Sequence, residues 1–578
     1  MEYALLVIAG ILVLVAAAAF SKRLGIATPI LLVLIGIGYS FIPGAPHLTL
    51  NPELVLDLLL PLLLYAAAVQ VPIVDFRRNL SGITMLSVVL VVASTAVIGF
   101  ILYALLPQLN LASAMALGAV VSPTDAVAAT AVAKRLGLPA RDVTLLEGES
   151  LVNDATALVL LKAAIAATGA SVSVVGVAGD FARSVLVAVL VGVVVGFVTV
   201  SIRSKFSEPV LDTAVSFVVP FVAFIPSELL GASGALSVVV AGLYSGHQAA
   251  SKFTAQSRLS EQLNWRLIAF VIENGVFLVM GGQLTRFVLE SVRHPEIGLV
   301  DTIALGLLVV VVLLAVRAAF VAPVLWRIRR AAGKADDDRE RLSSMRERMK
   351  VWRERFDDRR VQQRAERAEQ RIDQREADAV DLQKNRVGWR DGIVLTWAGM
   401  RGVVTLAAAQ SLPGGTPYRA QLVLIAFVVA IVSLVAQGGT LPWIIRMTGI
   451  RGTDAATDTR ELASLLDEIA DAADQALEEP DVDLPDGQEV DPQVVQRLRD
   501  DISLLAESAW ERAALHEGAS PVGPHAQYGM LLRVAIEAER QALLAARSKG
   551  SYPSRVLRRA QMLLDQEEAR LERRLDGS

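Results

Sequence analysis

The sequence predicts an all-α polytopic membrane protein, with about thirteen spanning helices followed by a helical cytoplasmic tail. Three observations carry that prediction. Over 578 residues, 53% are hydrophobic and 20% charged, and the mean hydropathy is +0.49, whereas a soluble chain of that size needs more charge on its surface. The charge is also unevenly spread. Residues 1–326 hold long apolar runs with isolated ions between them, while 327–390 and 451–578 are dense in Arg, Asp and Glu. Finally, the apolar runs are of spanning length, which for a helix is roughly 20 residues.

In order, the spans fall at 3–20, 25–42, 53–71, 82–106, 111–134, 143–168, 181–202, 209–226, 232–248, 264–287, 299–326, 391–412 and 420–446. The first has no basic residue before it and Lys22-Arg23 directly after it, the reverse of a secretory leader, so it reads as a retained span that starts outside. Basic residues then gather in alternate loops, as a correct count requires. Lys22-Arg23, Arg77-Arg78, Lys134-Arg135 with Arg141, Arg203 with Lys205, Lys252 with Arg258, and the 327–390 segment share one side. The opposite loops, such as 107–110, 169–173 and 226–234, are poor in Lys and Arg, with Arg286, Arg293 and Arg419 as exceptions. This places the N-terminus outside and the C-terminus in the cytoplasm of a multi-pass plasma-membrane protein.

Residues 1–448 therefore form the transmembrane domain, interrupted between spans eleven and twelve by the charged segment 327–390. There Arg alternates with Glu and Asp at spacings of three and four, as in Arg353-Glu354-Arg355 and Glu366-Arg367-Ala368-Glu369, which suits an exposed helix laced by ion pairs. The interleaved acids cancel the field that would attract phosphate, so the arginines do not read as a nucleic-acid arm; anionic lipid headgroups are the next reading. Residues 449–578 form a cytoplasmic accessory domain, with helical periodicity at 462–477, 494–509, 530–546 and 556–575 and a Pro-bearing linker at 478–491. The absence of cysteine removes disulfides and thiolate metal sites, five scattered His show no ligand spacing, and no GxxxxGK[ST] loop is present to take energy from ATP. No cofactor is expected.

Ionisable residues inside apolar spans cost at least about 2.5–3.5 kcal/mol on insertion scales and are functional candidates by default. Span five reads Ser122-Pro123-Thr124-Asp125, and proline removes a backbone donor, so a break is expected there. Its freed carbonyls would make ion ligands beside a cavity; a proline kink capped by Asp125 is the plainer alternative, and the two are compatible. Span six carries Glu149-Ser150-Leu151-Val152-Asn153-Asp154. At roughly 100° per residue, Glu149 with Asn153 and Ser150 with Asp154 share one face. Oxygen donors suit hard cations, and a carboxylate in low dielectric holds a proton more tightly, so one aspartate takes either a proton or a cation. Arg317 in span eleven and Arg401 in span twelve each need an acid or a set of carbonyls, or else snorkel to the interface. The glycines around Arg401 make span twelve a second candidate for a break. Lys162 and Arg183 read as interfacial anchors, and Glu273-Asn274 as part of a cytoplasmic funnel.

Ser122-Pro-Thr-Asp-Ala126, Gly148-Glu-Ser-Leu-Val-Asn-Asp154 and Gly399-Met-Arg-Gly402 resemble the signature segments of the monovalent cation:proton antiporter family 1, the bacterial relatives of animal sodium/proton exchangers. The resemblance covers roughly residues 1–448. It implies a homodimer in the lipid bilayer, with a dimerisation bundle and a core of inverted repeats in which two broken helices cross at the ion site. Carried over by residue, it makes Asp154 the proton and cation carrier, with Asn153, Ser150, Asp125 and Thr124 around it. Asp154, Asp125, Ser150 and Thr124 supply metal-ion ligands, and Glu149 pairs with Arg317 or, as runner-up, Arg401. The implied activity is secondary transport, not catalysis: exchange of Na+, or alternatively K+ or Li+, for H+, electroneutral because one carboxylate serves both ions. A K+/H+ antiporter with a regulatory tail is the alternative; a cation channel and an intramembrane hydrolase using Asp125 and Asp154 are remoter readings.

Overall fold

A backbone in hydrocarbon has no water to bond to, so an apolar run of spanning length closes its N–H and C=O groups within itself. A computed structural model describes the chain apart from residues 1, 45, 47, 49–50, 169–173, 294–295, 356–367, 369–371, 377–387, 451–454, 479–489, 516–522, 550–551 and 576–578, and among the described residues every regular element is helical. The repeat at Glu366-Arg367, the loop at 169–173 and most of the Pro-bearing linker lie outside the described residues.

The helices are α1 (Glu2–Leu24), α2 (Thr28–Ser40), α3 (Leu54–Gln70), α4 (Ile73–Leu105), α5 (Leu111–Val121), α6 (Val127–Arg135), α7 (Ala140–Ala167), α8 (Val174–Arg203), α9 (Pro209–Leu229) and α10 (Gly234–Lys252). They continue as α11 (Ala255–Gly282), α12 (Leu284–Arg293), α13 (Leu299–Arg355), α14 (Trp389–Trp397), α15 (Val403–Gln410) and α16 (Arg419–Thr448). Among the described residues, seven helices or helix pairs are long and apolar enough to cross a membrane, at Ile73–Leu105, Ala140–Ala167, Ala178–Arg203, Pro209–Leu229, Ala255–Arg293, Leu299–Arg330 and Arg419–Thr448. Shorter apolar helices lie at Leu5–Ser21, Thr28–Ser40, Leu54–Gln70 and Leu111–Val121. Two elements outrun their apolar runs. α4 starts nine residues before the expected span because its first turns are amphipathic, and α13 carries the helix from span eleven through the charged segment as far as Arg355.

The chain divides into two compact units, Met1–Ile450 and Arg451–Ser578. In the first, the buried apolar residues form two clusters. The larger gathers side chains of α2, α4, α5, α6, α13 and α16; the smaller is built from α3, α9, α10 and Trp265 of α11. Helix α7 belongs to both, through Leu145, Leu146 and Leu161 on one face and Leu151 and Ala155 on the other. Large apolar residues such as Leu12, Leu190, Phe197 and Val311 remain exposed on α1, α8 and α13, as expected of surfaces solvated by lipid.

The second unit is helical: α17 (Ala455–Glu478), α18 (Pro492–Leu515), α19 (Pro524–Lys549) and α20 (Ser554–Leu575). α17 packs on α18 around Ala463, Ala506 and Ala509, with Trp510 Nε1 donating to Asp467 at 2.6 Å, and Glu511 accepts from the first amides of α19, those of His525 and Ala526.

Candidate ion-binding site

Two helices break within apolar sequence. Pro123 has no amide proton to continue α5, which ends at Val121; the helical path resumes as α6 at Val127. Residues 398–402 likewise separate α14 from α15. The breaks touch, because Asp125 N donates to Met400 O at 2.7 Å. That approach demands glycine on the second strand of the crossing. A Cβ on Gly402 would run into the Asp125 carboxylate, and one on Gly399 would lie 2.6 Å from Arg317 Cδ and Nε.

Broken helices expose four half-charged ends, and the two central ions answer them by sign. The Arg401 guanidinium donates to Val121 O at 3.1 Å, at the carbonyl end of α5, and to Gly399 O just past the end of α14. Its backbone amide donates to Ser433 Oγ at 3.0 Å, in a π-helical turn of α16. Asp125 takes the opposite ends: its Oδ1 accepts from Val127 N at 2.8 Å at the start of α6, and its carboxylate lies against Gly402 at the start of α15.

Helix α7 completes the site. Glu149 and Arg317 are each 1% exposed, and both terminal nitrogens of Arg317 donate to the Glu149 carboxylate, Nη2 at 2.9 Å. Arg317 Nε donates to Leu395 O at 2.9 Å, so the guanidinium is satisfied by an acid and a carbonyl together. Thr124 joins the break to α7: its hydroxyl donates to Glu149 Oε1 at 2.7 Å, while Asn153 Nδ2 donates to Thr124 O at 2.8 Å and to its Oγ1 at 3.0 Å. Ser150 Oγ accepts from Ala126 N at 3.4 Å. The structure thus brings Thr124, Asp125, Glu149, Ser150, Asn153, Arg317 and Arg401 together, and it is Arg317 that contacts Glu149.

Asp154 differs from all of these. It is half-buried, and it makes no hydrogen bond or ion pair among the described residues. Asn153 Oδ1, one residue away, is buried without a partner among the described residues. A carboxylate with free oxygens beside a second carboxylate and an unpaired amide oxygen offers hard donors to a proton or a small cation.

Two further ion sites were not legible in the sequence. Arg203, which reads there as a loop charge, is 1% exposed and held by Asp212 and Glu261; Lys162, read as an interfacial anchor, pairs with Glu228. Arg203 closes α8 nine residues before Asp212 in the first turn of α9, a spacing that allows the first pairing but does not single it out.

The family model for the transmembrane sodium/hydrogen exchanger matches residues 10–447. The chain belongs to the sodium/hydrogen exchanger family. As a member it is a membrane protein and a cation/proton antiporter, a transporter and not an enzyme. Relatives include an uncharacterized Na+/H+ exchanger of Mycobacterium tuberculosis, 28% identical over 97% of this chain and 95% of the relative. The Na+/H+ antiporter ApNhaP of Aphanothece halophytica is 28% identical over 74% of this chain and 71% of its own. Among solved structures, the sodium proton antiporter MjNhaP1 from Methanocaldococcus jannaschii at pH 8 shares the fold, with a TM-score of 0.55 and 16% identity over 78% of this chain and all of that one. The exchanger fold therefore covers the membrane unit with its crossed broken helices.

Proposed function

We propose that this antiporter exchanges Na+ for H+ one for one across the plasma membrane, with both ions competing for Asp154. One observation carries the reading: Thr124, Asp125, Glu149, Ser150, Asn153, Arg317 and Arg401 each make a hydrogen bond or ion pair, and Asp154 makes none among the described residues. The ionised carboxylate takes Na+ from one side, with oxygens of Asp125, Ser150 and Thr124 completing its shell. The site then opens to the other side, Na+ leaves, a proton neutralises Asp154, and the neutral site returns. One carboxylate alternates between two monovalent partners, so a full cycle moves no net charge. Arg317 and Glu149 are permanent structure, and Arg401 neutralises helix ends.

The N-terminus is proposed outside and the C-terminus in the cytoplasm, from the alternate basic loops. A homodimer is proposed from the motif resemblance. The apolar outward faces of α1 and α8 suit lipid or a second copy. The unit after Arg451 is proposed to regulate, since all the residues of the crossing precede it.

The test is proton flux in proteoliposomes with Na+, K+ and Li+ in turn, with and without a clamped voltage. The expected result is Na+-driven proton movement that voltage does not alter, and an apparent cation affinity that weakens as pH falls, because protons compete for the same carboxylate. Voltage-driven cation current without proton movement would overturn the antiporter reading, and a pH-independent affinity would overturn the shared site.

A further inference from the structure

We propose that the ion pair between Lys162 and Glu228 is a gate contact that must part in every transport cycle. This rests on the antiport reading above, because alternating access requires that the ends of the site open in turn. Lys162 stands on α7 two turns beyond Asp154, towards the end of the helix away from Arg141, and Glu228 closes α9. Their contact is direct. It crosses the seam between the two apolar clusters: near Lys162, Leu161 of α7 packs into the larger, while α9 builds the smaller through Val219, Ala223 and Phe224.

Three features fit a contact made to be broken. Glu228 is anchored on its own side, since its other oxygen accepts from Gly234 N at 3.0 Å, at the start of α10. The Lys162 side chain is 60% exposed, so the pair is screened by solvent and weak enough to open at little cost. A cavity of about 400 Å³ adjoins it, lined by Leu158, Lys162, Phe181, Ser184, Glu228 and Ala232, so this end of α7 is not close-packed against α8 and α10 and can shift without tearing a dense core. By contrast the side chains of the Glu149–Arg317 and Arg203–Asp212 pairs are buried.

The chain contains no cysteine, so Lys162→Cys with Glu228→Cys introduces its only two thiols. In proteoliposomes a short, reducible bifunctional methanethiosulfonate joins them. Exchange is expected before treatment, to be lost on cross-linking and to return with dithiothreitol, while each single-cysteine variant treated in parallel keeps its activity. Full exchange by protein whose thiols are joined would overturn the gate, because helices held together there do not open there. No exchange by the untreated wild type would instead overturn the antiporter reading. If the double-cysteine protein does not fold, charge reversals decide. Lys162→Glu and Glu228→Lys each set like charges face to face, and a gate that opens more readily lowers the apparent KM for cation in both, by about two- to fivefold, with the reversed pair together restoring it. Shifts in opposite directions would mean that only the local field had changed, and unchanged KM values would mean that the contact plays no part in the cycle; either result overturns the proposal.

Discussion

Two buried ionic regions of the membrane unit are built on opposite rules. At Arg203 the guanidinium spends its donors on several helices at once: Nε and Nη2 on Asp212 of α9 at 2.7 and 3.1 Å, Nη2 on Glu261 of α11 at 2.9 Å, and Nη1 on Ser245 of α10 at 3.2 Å, with the Phe253 ring 4.2 Å away. The helix ends favour it as well, since Arg203 closes α8 and Asp212 lies in the first turn of α9. At the crossing of the broken helices, Thr124, Asn153 and Arg401 are each held by hydrogen bonds, and Asp154 makes none among the described residues. Satisfied charge fixes the relative positions of helices. A charge left without a protein partner is available to a mobile ion. The same residue types therefore make a scaffold in one place and a candidate ion site in the other, and the difference is whether the carboxylate has a cationic partner in the protein.

The sharpest way to break the comparison is to remove one charge from each region. Asp154→Asn should reduce exchange to background while leaving thermal stability in detergent unchanged or higher, since nothing is stranded by the change. Arg203→Met should do the reverse: it leaves Asp212 and Glu261 buried without their cation, at a cost of roughly 3–5 kcal/mol, while the fraction that remains folded still exchanges ions. Substantial flux from a folded Asp154→Asn protein, or an Arg203→Met protein as stable as the wild type, would remove the contrast.

The next test asks whether the crossing itself contains a scaffold element. Glu149→Gln and Arg317→Ala should each lower stability by an amount in the same range, and the double variant should lose less than the sum, because the second change removes the charge stranded by the first. The same cycle between Glu149 and Arg401 should show weaker coupling, as Arg401 donates to carbonyls. Strict additivity between Glu149 and Arg317, measured by thermal melting, would show that their contact carries no net energy.

The smallest effect is expected from truncation after Thr448. Exchange should persist, with at most a shift in its dependence on pH or salt, because every residue named at the crossing precedes Arg451. A truncated protein that reaches the membrane folded but exchanges no ions would place that unit inside the mechanism.

The contrast was half legible in the sequence. Pro123 announces a break because it lacks a donor, and Asp125 and Asp154 announce a site because charge in an apolar run is costly wherever the chain goes. Glu149 and Arg317 are 168 residues apart, and periodicity along either helix says nothing about which helix it meets. Arg203 was concealed for a related reason: a basic residue at the end of an apolar run looks like a loop charge unless the acids of neighbouring helices are known to surround it.

What the sequence determined alone follows from local composition and period: an all-helical membrane unit, a helical unit after it, the places where helices break, and the face of α7 that carries Glu149, Ser150, Asn153 and Asp154. These depend on residues within a few turns of one another. Partnership was decided only by the tertiary structure. Arg317 meets Glu149 while Arg401 meets Val121 and Gly399, Gly402 is required by the approach of Asp125, and Lys162 faces Glu228 across a seam. The reason is physical: a buried charge requires a counter-charge or dipole, but which one reaches it depends on how the helices pack, and packing is a property of the whole core.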